Sequence, residues 1–211
     1  MQIKTAVIAA LPALGALAVP TGSSGNNPDA TFPAVYGLIV GEDIQPFHFE
    51  SINANANKFW INLPQTATSC PYTGTDQADF CPPGNETAFI GSGSLAASVP
   101  GGQQIYVDTT GALMYTTAHT HVIPSGAVSY PFTYTLPGGA QYGSVSTRAF
   151  GADGFMACPT HGSIAYQVFA SFPEAQVPLG NVNDCVPLAP LAVPYTAGFR
   201  GIALALIDTE A

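Results

Sequence analysis

The chain reads as all-β: a single antiparallel β-sandwich or barrel-like domain held by two disulfides, behind a cleaved signal peptide. Three features of its 211 residues point there. Twenty-two glycines and nineteen prolines interrupt it too often for long helices. Between them lie short runs of β-branched and aromatic residues bounded by turn clusters. Finally, SIAYQVFASF (163–172) sets Ile164, Tyr166, Val168, Ala170 and Phe172 against smaller or polar neighbours, Phe169 apart. That is period two, the mark of a strand with one buried face.

In chain order, MQIKTAVIAALPALGALA (1–18) has a cation at Lys4, an apolar run and a small-x-small end at Ala16-Leu17-Ala18. This is the pattern of a secretory signal, with cleavage expected after Ala18. Pro12 and the short run argue against a bilayer span. Residues 19–31 (VPTGSSGNNPDAT) read as a flexible mature N-terminus, and 32–211 as one β domain. FPAVYGLIV (32–40) and IQPFHFESI (44–52) are expected strands joined by GED, and NKFWINL (57–63) follows. A long loop spans 66–87, before TAFIG, SLAASV, QQIYVD and ALMYTTAHTHV. QQIYVD-TTG-ALMYTTAH is the clearest hairpin signal, two β-rich arms around a Gly-containing turn. SYPFTYTL (129–136), GSVSTRAF (143–150) and GFMAC (154–158) continue the series. Roughly nine or ten short strands without a convincing helix argue for an antiparallel sandwich or barrel.

Beyond the signal, Lys58, Arg148 and Arg200 face thirteen carboxylates, a net charge of −10. Nucleic acid is excluded as a partner, because phosphate binding needs clustered Lys and Arg to release counterions. Anionic membranes are disfavoured for the same reason. Charged residues are only 8% of the chain, so solubility must come from Ser, Thr, Asn, Gln and glycan, which suits an extracellular, polysaccharide-rich setting. Roughly 190 mature residues suffice for one core, and 47% hydrophobic content argues against disorder. The C-terminal GIALALI is too short an apolar run for a lipid-anchor signal, and Asp208 and Glu210 follow it.

Cys70, Cys81, Cys158 and Cys185 form an even set in an exported chain, which reads as two disulfides. Three pairings can be drawn. Closure of local Pro/Gly-rich loops favours Cys70–Cys81 with Cys158–Cys185. No C-x-x-C pair is present, so zinc is a weak alternative.

The stretch TTAHTHVIP (116–124) brings His119 and His121 within one residue of each other. On a strand, residues two apart share a face at roughly 6.5–7 Å, close enough for one metal. Leu113, Tyr115 and Thr117 would share that face and supply no ligand, and His48 and His161 are far away in sequence. The pair is therefore expected to decorate a strand, with no metal bound. GSGS (91–94) lacks the setting of a phosphate loop, and no G-x-S-x-G elbow occurs. Glu42-Asp43 reads as a turn, while paired carboxylates for glycoside hydrolysis stay open. Trp60 and Tyr106 could stack on sugars, although Trp60 in KFWINL is expected in the core. Asn85-Glu86-Thr87 matches the N-glycosylation acceptor. No catalytic residue and no cofactor is nominated.

NANKFWINLPQTATSCP, VPGGQQIYVDTTGALMYTTAH, GFMACP, AYQVFASF and VPLGNVNDC, in that order, resemble the fungal cell wall protein PhiA family. Its members are also described as IgE-binding or antigenic secreted proteins of filamentous ascomycetes. The resemblance spans residues 34–193, and GGQQIYVD and GNVNDC are its most specific parts. It implies a secreted, non-enzymatic cell wall protein associated with phialide and conidium formation and with stress protection. The implied partners are wall polysaccharide or other wall proteins, held noncovalently, with no cofactor. Cys70, Cys81, Cys158 and Cys185 carry over as structural bridges, whereas IALALIDTEA after Arg200 departs from the pattern. Two other readings compete: a secreted effector, elicitor or antigen acting outside the wall, and a carbohydrate-active or metal-binding protein using His119 and His121.

Overall fold

Alternating side chains in short strands build one antiparallel sheet. In the computed structural model, residues 31–41, 44–64, 66–67, 86–97, 99 and 102–195 are described. They hold fourteen strands. The first seven are β1 (Tyr36–Val40), β2 (Asn53–Asn55), β3 (Lys58–Ile61), β4 (Phe89–Ile90), β5 (Ser94–Leu95), β6 (Gln103–Val107) and β7 (Leu113–Tyr115). The rest are β8 (Val128–Ser129), β9 (Thr133–Thr135), β10 (Gly143–Ser146), β11 (Phe155–Pro159), β12 (Tyr166–Ala170), β13 (Val186–Leu188) and β14 (Pro190–Pro194). Their order is β13-β11-β12-β3-β7-β6-β5-β4-β1-β14-β10-β9, with β2 against β3 and β8 against β6. The sheet curls into a half-barrel, in keeping with the all-β, barrel-like expectation. An Ile39–Ser51 bridge brings the approach to β2 beside β1, with Val40 N–H donating to Glu50 O (2.9 Å) and Ile52 N–H to Leu38 O (2.8 Å).

The concave face is filled by one apolar cluster rich in aromatic rings. Phe89 lies 5.6 Å from Tyr36 and 5.7 Å from Phe59, and Phe59 meets Tyr115 edge-on at 5.3 Å. All four are buried. The Tyr36 hydroxyl donates to Gly91 O at 2.5 Å, which satisfies its polar tip, and burial pushes its phenol well above the ordinary tyrosine range. Gly143 fits here because the Tyr134 ring packs against it; a Cβ there would overlap the ring.

The β6–β7 hairpin forms where the sequence places it. Asp108 Oδ1 accepts from Thr110 N–H (2.9 Å), Thr110 Oγ1–H (2.5 Å) and Ala112 N–H (3.0 Å), and Gly111 takes φ +93°. Elsewhere the structure departs from expectation. Residues 44–50 are consecutive turns, not a strand: Phe47 N–H bonds Ile44 O, Glu50 N–H bonds Phe47 O, and Phe49 takes φ +57°. Phe47 still enters the core, edge-on to Tyr166 at 4.7 Å. β2 and β3 meet through a two-residue turn, Ala56-Asn57, with both residues at positive φ, as a type I′ turn requires. β13 and β14, full of proline, were not expected as strands. β14 is nevertheless internal to the sheet, flanked by β1 along its whole length and by β10 only at Leu191 and Ala192, between its terminal prolines.

The expected strand 163–172 narrows to β12, and its register shows why. Val168 and Ala170 are buried inward as predicted, but Ile164 is 81% exposed and Phe169, on the opposite face, is buried. The opposite face carries a second small core: Ala112, Met156, Cys158, Phe169, Ala175 and Val177. A strap formed by residues 172–185 covers it. The strap is tied down by the Cys158–Cys185 disulfide and by Gln176 N–H to Thr110 O (2.8 Å). Cys70 and Cys81 lie outside the described residues, as do the expected signal peptide and residues 19–30 of the expected mature N-terminus.

Candidate functional site

The strap covers only part of the convex face. Beside it, β3 presents Lys58 and Trp60 outward while Phe59 and Ile61 point into the core, as strand alternation dictates. Lys58 stands opposite Met114 of β7, and Trp60 opposite Gln167 of β12. The β6–β7 turn (Asp108, Thr110) closes one end and the strap (Gln176, Pro178) forms a wall. The result is a solvent-facing groove of about 470 Å³, within the range of small-molecule sites.

The polar side chains at the centre of the groove are held in place. The Trp60 indole N–H donates to Asn55 O (3.0 Å), which fixes the ring, and the Lys58 ammonium lies 6.0 Å from its centroid. Lys58 Nζ also donates to Gln167 Oε1 (3.4 Å). Gln167 is only 3% exposed, so a buried amide forms part of the floor. Asp108, the one carboxylate among the described lining residues, has Oδ1 committed to its own turn. The sequence expectation of a core Trp60 is therefore corrected: residue 60 falls on the convex side, in contact with solvent. Tyr106 shares that side but is buried, and burial, reinforced by Asp108, raises its phenol.

The other candidates fall elsewhere. β7 ends at Tyr115, so His119 and His121 do not lie on a strand as expected; they lie beyond it, in an exposed turn where His119 takes φ +64°. The strand ends because Thr116 and Asn57 close it: Thr116 Oγ1 accepts from Gln104 N–H (3.0 Å), and Asn57 Nδ2 donates to Tyr115 O (3.0 Å) and Thr117 Oγ1 (3.1 Å). Among the described residues, no three His, Cys, Asp or Glu side chains converge as metal ligands. In GSGS (91–94), residues 91–93 form the β4–β5 turn and Ser94 opens β5. Glu42 and Asp43 lie outside the described residues.

The glycosylation signal has a structural partner that sequence reading missed. Asn85 lies outside the described residues, but Thr87 is buried. Its Oγ1 accepts from Ala54 N–H (2.7 Å) and pairs with Thr66 Oγ1 (2.7 Å), and its N–H donates to Asn53 Oδ1 (2.9 Å). The hydroxyl that makes the acceptor motif therefore also ties the chain to the edge of β2.

Comparison with known proteins agrees with the resemblance in sequence. Residues 36–200 match the family described as PhiA-like secreted protein. A protein of Arthroderma benhamiae named "Uncharacterized secreted protein" is 40% identical over 144 residues, 68% of this chain and 71% of that one. No solved structure matches. The family match covers every strand of the fold and the whole groove, and on that ground the chain belongs to the PhiA-like secreted protein family.

Proposed function

We propose that this secreted protein is a non-enzymatic component of the fungal cell wall, held there noncovalently and serving phialide and conidium formation and stress protection. The observation that carries the reading is the construction of the convex-face groove. It combines a fixed indole, buried and exposed amides and hydroxyls, which is a surface for binding. Its carboxylate is engaged in a backbone turn rather than paired with a second acid, the arrangement glycoside hydrolysis needs. Family membership supports the extracellular setting.

Fractionation of vegetative and sporulating cultures tests this. The expected result is enrichment in detergent-extractable wall at sporulation. Recovery solely in the culture filtrate, equal at both stages, would overturn it and favour a secreted effector. Deletion of the gene is expected to reduce conidium number.

A further inference from the structure

We infer that the convex-face groove binds a neutral, hydroxyl-rich glycan chain, with Trp60 as its stacking platform and Lys58, Gln167 and Gln176 as its polar contacts. The inference rests on the wall reading above and names the ligand class of the same site. Four observations converge. The Trp60 ring is partly exposed yet held through its N–H to Asn55 O, so little side-chain freedom is lost when a ligand settles on it. Sugar rings present C–H faces to an aromatic ring and hydroxyls at their rim, so a platform beside donors and acceptors matches both surfaces. Gln167, almost wholly buried, keeps its amide at the groove floor against Lys58 Nζ (3.4 Å), a group that can exchange its partner for a ligand hydroxyl. The described lining holds one cation, Lys58, and one anion, Asp108. That balance suits a neutral ligand, and the net charge of −9 over the full chain repels a polyanion.

The test uses the full secreted chain and four variants: Trp60→Ala, Gln176→Ala, and, away from the groove, Phe49→Ala and Ile164→Ala. Retention on insoluble β-1,3-glucan, chitin and chitosan is measured at low and at 0.5 M salt, with unfolding midpoints recorded alongside. The inference predicts retention on β-1,3-glucan or chitin that survives salt. It predicts about tenfold weaker binding for Trp60→Ala, a smaller loss for Gln176→Ala and none for the two controls, with midpoints preserved. Which neutral polymer retains the protein identifies the source of the glycan. Binding to chitosan alone, abolished by salt, would overturn the inference in favour of bulk charge attraction. Equal retention of wild type and Trp60→Ala, or no retention on any polymer, would also overturn it. Wall enrichment in the culture fractionation would then leave the wall reading standing, with other wall proteins as the anchor.

Discussion

The concave and convex faces of the same sheet are built on opposite plans. The concave face is continuous and apolar, with Tyr36, Phe89, Phe59 and Tyr115 linked in that order by ring contacts. The convex face is divided. One part is capped by the 172–185 strap over Phe169 and Met156, and another is left open around Trp60. Cohesion therefore comes from one face and a disulfide-held patch of the other, and the open remainder is available for binding. Two neighbouring residues of β3 illustrate the division: Phe59 serves stability, and Trp60 faces the groove.

Substitutions on the two faces should have graded effects. Phe59→Ala removes a fully buried ring contacting Phe89 and Tyr115 and is expected to cost about 3–5 kcal/mol, measured by denaturant unfolding. Replacing Cys158 and Cys185 together by serine opens a loop of separation 27, for which chain entropy alone gives about 3–4 kcal/mol. In that variant, hydrogen exchange should rise in the strap and β11 while the β1–β14 pairing stays protected; uniform loss of protection would contradict a separable strap.

A smaller effect is expected at Thr87. Thr87→Val leaves the Ala54 N–H without its acceptor and should cost about 1–3 kcal/mol, whereas Thr87→Ser keeps both the bond and the acceptor motif. If Asn85→Gln destabilised the fold as much as Thr87→Val, the effect would belong to a glycan and not to this hydrogen bond.

The mildest lever is pH. The Tyr36 phenol is raised by burial, so the folded state holds its proton when unfolded-chain tyrosines ionise near about pH 10. Its contribution is complete below that pH and is lost as pH climbs beyond it. Tyr36→Phe should make the alkaline decline of stability shallower, by at most about 1.4 kcal/mol per pH unit, in urea titrations at pH 8 and 10.5.

What could be read from sequence followed local chemistry. The β6–β7 hairpin was legible because Asp108 and Gly111 supply a turn acceptor and a positive φ within four residues. The Ala56-Asn57 turn was not, since alanine at positive φ lacks the glycine signature and Asn57 is held by bonds to Tyr115 and Thr117, distant in sequence. β14 was hidden by Pro190 and Pro194, which are accommodated because β10 pairs only between them. Phe169 broke the expected one-sided pattern because a strap fixed by Cys185 covers it, a tertiary fact beyond any strand's periodicity. Trp60 was the recoverable miss. Lys58 and Trp60 alternate with Phe59 and Ile61, and that period of two already places the indole opposite the core side chains.

The most direct test of the two-face account compares Phe59→Ala with Trp60→Ala in one experiment, recording unfolding free energy and neutral-glycan retention for each. Phe59→Ala is expected to lower stability sharply but to bind normally under conditions where it remains folded. Trp60→Ala should change stability by less than about 1 kcal/mol and lose retention. Equal destabilisation by the two substitutions, with retention falling only in proportion to the unfolded fraction, would contradict the division of labour between the faces.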